Sequence, residues 1–239
     1  MVMGYKNSPQ ILQRIMDQSF RSLKGKGVEI YMDDIVIYGK TKEEHDRLCR
    51  EVISRLAKNN MKLNKSKIQY CKEEVKLLGV TVNGRDIKLS EVKKNEALEF
   101  PVPKNVSEVR RFLGLTGLFR DFIKDYAGKT LALTDSLRGK NNNWEWTAEM
   151  EQEFTELKKV IQNLGNLKVP DYERKFLLST DASKSGMGAV LMQKNEKGEW
   201  VPVQWSSKKF TPTEVRYGIS EKEMYAVFFF FFLGGGKEI

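Results

Sequence analysis

Soft metal ligands and cysteines are scarce in this sequence. It contains one histidine and two cysteines, whereas a structural zinc site needs a larger set of cysteine and histidine ligands. His45 and Cys49 stand one helical turn apart, but two ligands do not complete such a site. The low cysteine content also excludes a disulfide-rich secreted scaffold, so we interpret Cys49 and Cys71 as ordinary thiols of a reducing compartment.

Long apolar runs are also lacking. The most apolar stretch, Ala226 to Leu233, is much shorter than the ~20 residues that cross a bilayer as a helix. The chain does not open with the charged segment and apolar core of a secretion signal. We therefore expect an intracellular, cytoplasmic protein that does not associate with membranes.

Acidic residues are outnumbered by basic ones. The chain has 32 aspartates and glutamates against 41 lysines and arginines, a formal net charge of +9. Positive charge favours a polyanionic partner such as a nucleic acid, because basic side chains near phosphates gain affinity by releasing counterions. Many basic soluble proteins bind no nucleic acid, so charge alone leaves both possibilities open. The hydrophobic fraction of 40% is enough for folded cores and argues against global disorder.

Hydrophobic periodicity and turn residues predict a mixed α+β fold. The first third predicts a helix capped by Ser8, a hairpin over Val28 to Tyr38, a helix begun by Thr41 with Glu44, and short strands within residues 61–82. The turn Asn83-Gly84 follows these strands.

The pattern changes to helices after Pro101 and Pro103. The later elements are predicted as a helix capped by Asn105 and Glu108 and continuing to Ile123, a helix from Ala148 to Asn163, and strands over Phe176 to Thr180, Gly188 to Gln193 and Trp200 to Ser206. These changes predict three parts, comprising residues 1–80, 81–165 and 166–239.

Two adjacent aspartates, Asp33 and Asp34, interrupt the apolar run IYMDDIVI. Adjacent carboxylates repel each other, and apolar surroundings raise the free energy of keeping them charged. A divalent cation such as Mg²⁺ would offset that cost, and a two-metal site supports phosphoryl transfer. The alternative is an ordinary solvated turn, in which aspartates are common.

Two further acidic positions, Asp181 and Glu223, lie near the end of the chain. Asp181 follows an apolar strand and, taken alone, is typical of a structural aspartate between a strand and a turn. Glu223 has a local alternative, since Ser220 and Glu223 have the spacing of a capping pair at the start of a helix.

The helix expected after Asn105 has one apolar and one basic side. The basic side carries Arg110, Arg111, Arg120 and Lys124. These side chains are suited to contact a nucleic-acid duplex, although a merely solvated helix face would look the same.

An ordered series of motifs resembles a known family. The segment MGYKNSPQILQRIMDQSF is followed by YMDDIVIYGKTKEEHDRL, LNKSKIQY, VKLLGVTV, PVPKNVSEVRRFLGLTGLFRDFI, WEWT and LLSTDASKSGMGAVLMQ. In this order the motifs resemble the reverse transcriptase and ribonuclease H region of gypsy-type long-terminal-repeat retrotransposons and their retroviral relatives, to about Val227. The resemblance implies the C-terminal part of a polymerase palm (1–80), a helical thumb and connection (81–165), and the first half of a ribonuclease H-like α/β domain (166–239).

The resemblance also implies roles for individual residues of the polymerase part. Asp33 and Asp34 match its adjacent metal-binding aspartates. The other matches are Tyr31 and Met32 near the primer end and incoming nucleotide, Pro9 and Gln13 on the template strand, Leu78 and Gly79 at the primer terminus, and Arg110, Arg111, Arg120 and Lys124 in the thumb. A glycine suits the primer turn because the backbone must approach the nucleic acid closely.

In the ribonuclease part, the resemblance implies that Asp181 and Glu223 are the first and second metal-binding carboxylates, while Glu221 faces another way. The implied cofactor is Mg²⁺, with Mn²⁺ as a substitute. The implied partners are an RNA template, a DNA primer, an RNA–DNA hybrid, deoxynucleoside triphosphates and the rest of the Pol polyprotein, in a virus-like particle.

Several positions depart from the family's pattern. A third polymerase aspartate is expected on a strand before Met3, Val2 and Met3 replace the usual residues, and a further ribonuclease aspartate is expected well after Glu223. The sequence instead continues with five phenylalanines and Leu233, an apolar run prone to aggregation, followed by three glycines. We therefore expect both acidic centres to be incomplete and this chain alone to have negligible activity. A nucleic-acid-binding segment without catalysis and a poorly folding relic are the alternatives.

Overall fold

The structure is a computed structural model that describes residues 6–138 and 144–233. The expectations for Val2, Met3 and the three glycines after Leu233 lie outside these ranges. The chain forms two compact units, Met1–Lys72 and Glu73–Ile239. Within the described ranges, no helix combines the length and the apolar character that a membrane span requires.

The first unit pairs two helices with one hairpin. Its elements are α1 (Ser8–Phe20), β1 (Val28–Tyr31), β2 (Asp34–Ile37), α2 (Lys42–Lys58) and a short 3₁₀ turn (Lys65–Lys67). The core contains Met16, Phe20, Val28, Ile30, Leu48, Val52 and Leu56, which are contributed by both helices and the hairpin. The apolar stripes of α1 and α2 therefore cover one face of the hairpin.

The helix boundaries of this unit follow from local capping. Thr41 caps α2 by accepting a hydrogen bond from the Glu44 N–H, as predicted. The prediction for α1 was one residue off, because Asn7 is the N-cap and Ser8 is the first helical residue. Pro9 therefore lies in the first turn, where its missing N–H leaves no helical hydrogen bond unmade.

The second unit begins with a four-stranded antiparallel sheet. Its strands are β3 (Glu74–Leu77), β4 (Val80–Asn83), β5 (Asp86–Leu89) and β6 (Leu167–Lys168), in that order across the sheet. The strands expected over residues 61–82 therefore begin only at Glu74, and residues 61–73 contain a 3₁₀ turn instead. This sheet joins chain segments from both sides of the predicted boundary at 165. The division into three parts stays a prediction.

Between β5 and β6, the residues that the structure describes form five α-helices around a second core. They are α3 (Glu91–Leu98), α4 (Val106–Thr116), α5 (Tyr126–Lys129), α6 (Leu131–Asp135) and α7 (Ala148–Gln162). The fully buried side chains of this core include Val109, Phe112, Phe119, Leu133, Leu157 and Ile161. As predicted, Asn105 caps α4 by accepting from the Glu108 N–H.

The prediction of one long helix from Asn105 to Ile123 is wrong. Helix α4 ends at Thr116, and residues Gly117–Phe122 form a 3₁₀ helix. Gly117 favours the end of the α-helix, since a glycine in a helix interior costs about 1 kcal/mol relative to alanine. Phe119 and Phe122 are three residues apart, so the three-residue turn of a 3₁₀ helix buries both rings.

The last part is a three-stranded antiparallel sheet covered by a helix. Its elements are β7 (Phe176–Ala182), β8 (Gly186–Lys194), β9 (Trp200–Lys209) and α8 (Ile219–Phe228), with a π-helical turn at Phe229–Leu233. All three strands were predicted, although each is longer than expected. Met187, Ala189, Phe210, Ala226 and Phe230 form its buried core. The mixed α+β class expected from the sequence is confirmed.

Candidate functional site

The adjacent aspartates lie at the tip of the β1–β2 hairpin. Tyr31 pairs with Asp34 across the strands, so the connecting turn consists of Met32 and Asp33. Met32 has a φ of 55°, in the left-handed region that non-glycine residues adopt only where the turn requires it. Both carboxylates are exposed to solvent. The free-energy cost of burying these carboxylates, which would call for a cation, therefore does not arise here. Ile30, which precedes the turn on β1, packs in the core and anchors the hairpin.

Helix α1 holds this turn through a side-chain amide. The Met32 backbone N–H donates to Gln13 Oε1 at 2.6 Å. Gln13 Nε2 in turn donates to Asp17 Oδ1 at 3.1 Å, and Lys24 Nζ donates to the same oxygen at 3.2 Å. Because Asp17 accepts from the amide nitrogen, the amide oxygen of Gln13 is left facing Met32.

Three of the predicted residues, Pro9, Gln13 and Met32, line one groove of about 690 Å³ on the first unit. The sequence reasoning missed the other lining residues, Gln10, Arg14, Asp17, Gln18, Arg21 and Lys24. Most of them recur at helical spacing along α1, on a stripe that adjoins the face of the buried Met16 and Phe20. This polar stripe was the signal that could have found them.

The hairpin aspartates have the right chemistry for a hard cation but make up only part of a ligand set. Carboxylate oxygens are preferred ligands of Mg²⁺, which also keeps several waters when it is bound. In residues 6–138 and 144–233, no three histidine, cysteine or acidic side chains cluster in a way that would hold a metal ion. Asp33 and Asp34 therefore fit as two ligands of a site that needs others.

The predicted primer turn lies between β3 and β4. Leu77 pairs with Val80, which leaves Leu78 and Gly79 as a two-residue turn. Both have positive φ, 47° and 86°. This is typical of the type I′ turn that suits the twist of a hairpin, and such turns favour asparagine before glycine. Leu78 is 54% exposed, so an apolar side chain is held out to solvent on a strained backbone.

The four basic residues predicted for one helix face are divided between elements. Arg110 and Arg111 lie exposed on α4, and the Arg111 guanidinium is 5.9 Å from the centre of the Phe100 ring. Arg120 belongs to the 3₁₀ helix, and its Nη2 donates to the Ser207 carbonyl of β9 at 3.3 Å. Lys124 follows that helix and is exposed. The prediction of a single basic helix face is therefore wrong, because the α-helix ends before Arg120.

Asp181 and Glu223, the two acidic candidates in the last part of the chain, lie on elements that a hydrogen bond from a backbone N–H joins. Asp181 lies in β7 opposite Gly188 and is exposed. The N–H of Ala182, the next residue, donates to Glu223 Oε1 at 3.3 Å. Glu223 on α8 thus reaches the strand end that carries Asp181.

The capping alternative for Glu223 is wrong. Helix α8 begins at Ile219 with Gly218 as its N-cap. The carboxylate that accepts from the Gly218 N–H is that of Glu221, at 2.7 Å. The Glu221 side chain is therefore the one that caps the helix, and Glu223 turns toward the sheet, while its metal-binding role stays a prediction.

A partly buried hydrogen-bond network that the sequence did not predict joins β9 to α8. Lys208 Nζ donates to Glu214 Oε1 at 3.1 Å and to the Tyr225 hydroxyl at 3.0 Å, and that hydroxyl donates to Glu214 Oε1 at 2.8 Å. Burial alone would raise the pKa of Glu214, but hydrogen bonds from the Thr211 N–H, Tyr225 and Lys208 lower it to about 2. The network fixes α8 at Tyr225, close to Glu223.

Comparison with known proteins assigns the family. Residues 1–82 match the family described as reverse transcriptase (RNA-dependent DNA polymerase). Residues 146–232 match the RNase H-like domain found in reverse transcriptase. The chain belongs to the reverse transcriptase family of retrovirus-related Pol polyproteins. The resemblance read from the ordered motifs is thereby confirmed.

Relatives of this reverse transcriptase segment are transposon polyproteins. The chain is 34% identical over 227 residues to the retrovirus-related Pol polyprotein from transposon 297 of Drosophila melanogaster, covering 95% of this chain and 21% of that protein. The polyprotein from transposon gypsy of the same organism is 33% identical over 252 aligned positions, with 99% and 24% covered. Transposon Tf2-3 polyprotein of Schizosaccharomyces pombe is 30% identical, with 94% and 17% covered. The chain thus spans about a fifth of the length of these relatives.

Solved structures confirm the reverse transcriptase fold. The foamy viral protease-reverse transcriptase in complex with an RNA/DNA hybrid superposes with a TM-score of 0.77 at 23% identity, covering 95% of this chain and 30% of that chain. The dRH form of that protein, in complex with double-stranded DNA, gives 0.78 at 23% identity, with 94% and 39% covered.

Proposed function

We propose that this chain supplies part of an RNA-directed DNA polymerase and part of its RNase H-like domain. The observation that carries the proposal is the exposed Asp33-Asp34 pair on a hairpin turn that Gln13 holds through the Met32 N–H. A rigid turn that presents two carboxylates to solvent is suited to share a cation with an incoming phosphate group.

In this proposal Asp33 and Asp34 hold Mg²⁺, or Mn²⁺ in its place. When bound, the metal supplies activation of an attacking hydroxyl and stabilisation of a leaving oxygen in phosphoryl transfer. The protein's own contribution is orientation, because Gln13 restrains the turn and Ile30 anchors the strand beneath it. Tyr31, which is 57% exposed, is free to contact a primer end or a nucleotide.

The other polymerase residues are assigned to the nucleic acid. Pro9 lies exposed in the first turn of α1, on the groove that also contains Gln13, and is proposed to contact the template. The exposed Leu78-Gly79 turn is proposed to hold the primer terminus. Arg110, Arg111, Arg120 and Lys124 are proposed to lie along the duplex, although Arg120 also ties the 3₁₀ helix to β9.

The C-terminal pair is proposed as part of an RNA-hydrolysing site. Asp181 and Glu223 are brought to the same strand end by the Ala182 N–H, and their carboxylates suit the same divalent cations. The proposed partners are an RNA template, a DNA primer, their hybrid and deoxynucleoside triphosphates, within the larger polyprotein. The family match and the nucleic acids bound by the foamy viral enzyme support these partners.

A second candidate function is nucleic-acid binding without catalysis. It is favoured by the ligand count, because the described ranges contain no cluster of three potential metal ligands, whereas phosphoryl transfer depends on a complete metal site. We expect the purified chain alone to extend primers negligibly.

Primer extension and cation binding test the two candidates together. The purified chain is given an RNA template with an annealed DNA primer, Mg²⁺ and nucleotides, and Mn²⁺ binding is followed separately by electron paramagnetic resonance. We expect salt-sensitive hybrid binding, and Mn²⁺ binding at the hairpin that Asp33→Asn and Asp34→Asn each weaken. Asp181→Asn is the matched control, since it should leave the hairpin site unchanged.

The outcomes separate the candidates. Extension product from the chain supports the polymerase. Hybrid binding without extension supports the binding segment. Absence of hybrid binding at low salt, or Mn²⁺ binding and extension that survive both hairpin substitutions, would contradict the proposed function.

A further inference from the structure

The two cysteines of the chain, Cys49 and Cys71, both belong to the first unit, and both are free thiols. Cys49 is partly buried on α2, whereas Cys71 is exposed in the segment that leads to β3. They stand about twenty residues apart in the sequence. The contacts of Tyr70, the residue before Cys71, bring them close together in the fold.

Tyr70 holds its segment against the first turns of α2. Its hydroxyl donates to Asp46 Oδ1 at 2.6 Å, and the centre of its ring lies 5.5 Å from that of the His45 imidazole. The hydrogen bond to Asp46 is the largest cause of a pKa of Tyr70 raised to about 12, so the hydroxyl remains a donor at neutral pH. Cys71 therefore follows a side chain that is fixed to α2, at a bend where its own φ is 49°.

Cys49 lies one helical turn beyond His45. Its Sγ is 3.7 Å from His45 Nε2 and 3.8 Å from His45 Nδ1. His45 therefore contacts both Cys49 and the ring of Tyr70. Burial, then the Asp46 carboxylate, then the charge of an ionised Cys71 raise the pKa of the Cys49 thiol. Because one charge shifts the pKa of another group mainly at short range, the two sulfurs lie near each other.

The two thiols differ in their access to an oxidant. Cys71 is exposed, so its thiolate meets small molecules directly from solvent. Cys49 is partly buried and its pKa is raised, which slows its direct reaction with them. Its Sγ nevertheless lies 3.7 Å from a ring nitrogen of His45 that can accept its proton. Cys71 is therefore suited to the first step of a thiol–disulfide exchange, and Cys49 to the step that follows.

We propose that Cys49 and Cys71 form a reversible disulfide, with a low-molecular-weight disulfide such as oxidised glutathione as the oxidant. The Cys71 thiolate attacks one sulfur of glutathione disulfide, whose S–S bond breaks, giving a mixed disulfide and one glutathione thiolate. Cys49 passes its proton to His45, attacks the Cys71 sulfur and displaces the second glutathione thiolate. The protein thiols lose two protons and two electrons in all, and the two released thiolates take up these protons.

The disulfide would tie the end of the first unit to its own helix. The loop that it closes contains the 3₁₀ turn, and residues 62–74 are all exposed, so little burial restrains them in the reduced chain. Cys71 immediately precedes Lys72, where the first unit ends. Oxidation therefore restrains the chain where it leaves this unit. The inference is independent of the proposed function, because it requires neither a cation nor a nucleic acid.

Equilibration with glutathione followed by peptide mapping tests the disulfide. The reduced full chain is incubated at a series of ratios of reduced to oxidised glutathione, free thiols are blocked with N-ethylmaleimide, and the chain is digested with trypsin without reductant. We expect the peptide 48–50, which carries Cys49, to be joined to the peptide 68–72, which carries Cys71. Dithiothreitol should separate the two peptides.

Two cysteine variants separate the steps. Cys49→Ser should accumulate a stable glutathione adduct at Cys71, about tenfold more than the unmodified chain, because the second thiol is missing. Cys71→Ser should react with oxidised glutathione about tenfold more slowly than Cys49→Ser, because its remaining thiol is partly buried.

Tyr70→Ala tests the geometry that brings the thiols together. Loss of the contacts with Asp46 and His45 should leave the attack by Cys71 unchanged and slow the second step, so that the mixed disulfide accumulates. Tyr38→Ala is the matched control, since Tyr38 is 50% exposed and Tyr70 52% exposed in the same unit. Thermal melting of both variants shows whether the fold is retained, which exposed positions should permit.

Three results would overturn the proposal. The first is a glutathione adduct that is as stable in the unmodified chain as in Cys49→Ser. The second is a disulfide that forms only between two copies of the chain. The third is equal exchange by Tyr70→Ala and Tyr38→Ala. None of these results bears on the proposed function, whose failure is measured by hybrid binding, primer extension and cation binding.

Discussion

Gln13 accepts a 2.6 Å hydrogen bond from the backbone N–H of Met32 and thereby joins a helix to the turn that carries the two aspartates. The contact spans nineteen residues of sequence, and it satisfies the N–H of a residue whose φ is positive. The geometry of the proposed metal site thus depends on a neutral amide outside the four-residue YMDD motif.

Replacing Gln13 by leucine should loosen the turn. We expect a loss of at most about 1 kcal/mol in the free energy of unfolding, because the hydrogen bond from the Met32 N–H is removed at an exposed turn. Hydrogen exchange at the Met32 amide should accelerate. Gln13→Glu, which keeps the accepting oxygen, should retain more protection, and Gln10→Leu on the same stripe should leave Met32 unaffected. Unchanged exchange in Gln13→Leu would contradict the restraint.

The two glutamates of α8 should respond differently to the same substitution. Glu223→Gln keeps an oxygen that can accept from the Ala182 N–H, so stability should change by less than about 1 kcal/mol, while Mn²⁺ binding beside Asp181 should fall. Glu221→Gln should leave Mn²⁺ binding intact, since that side chain caps Gly218. Calorimetric Mn²⁺ titration of both variants is the measurement. Equal cation binding by the two would remove the metal role from Glu223.

The primer turn should gain stability when its strain is relieved. Leu78→Asn places a residue that tolerates positive φ before Gly79, and we expect a gain of about 0.5–1 kcal/mol in urea unfolding. Gly79→Ala should cost a similar amount or more through its φ of 86°, although no atom lies within 4 Å of the added methyl position. If the turn holds the primer, Leu78→Asn should also weaken hybrid binding. A destabilised Leu78→Asn would argue against the strain.

Acid should remove part of the stability that the Glu214 network provides. The pKa of Glu214 is lowered from 4.5 to about 2 in the folded chain, so its contribution is complete above pH 4.5 and is lost as the pH falls toward 2. Tyr225→Phe should cost about 1 kcal/mol at neutral pH, and Glu214→Gln should flatten the pH dependence between those limits. Denaturant unfolding at several pH values measures both. Tyr217→Phe, outside the network, is the control.

The phenylalanine run should divide into structural and exposed members. Phe230 is 8% exposed and packs with Ala226, whereas Phe231 and Phe232 are 66% and 64% exposed. Phe231→Ser with Phe232→Ser should raise solubility without lowering the melting temperature, and Phe230→Ser should cost about 3 kcal/mol as a buried ring is lost. Light scattering and thermal melting distinguish them. Equal melting temperatures for both variants would contradict this division.

Local signals predicted most of the elements. The capping residues Thr41 and Asn105 marked the starts of two helices, the apolar run at Phe176 to Leu178 marked a strand, and IYMDDIVI marked the hairpin. These predictions succeed because a cap or a short apolar strand is encoded within a few residues.

Interactions between distant residues were not predictable in the same way. The bond from Arg120 to Ser207 and the pairing of β5 with β6 depend on how separate segments pack, which no local pattern encodes. The choice between Glu221 and Glu223 was similar, since moving the helix start by two residues exchanges their roles. The sequence pattern also could not predict that Asp33 is exposed, because the turn of an apolar hairpin can be either buried by other elements or open to solvent.

The pairing of Ile87 with Leu167 adds β6 to the sheet that carries the Leu78-Gly79 turn. Strand β6 is therefore synthesised about eighty residues after β5, the strand with which it pairs. On the ribosome, the nascent turn lies in a three-stranded sheet whose β5 edge stays unpaired until Lys168 has emerged. Translational pausing within the intervening helices would prolong the period in which that edge is available to chaperones or to neighbouring nascent chains.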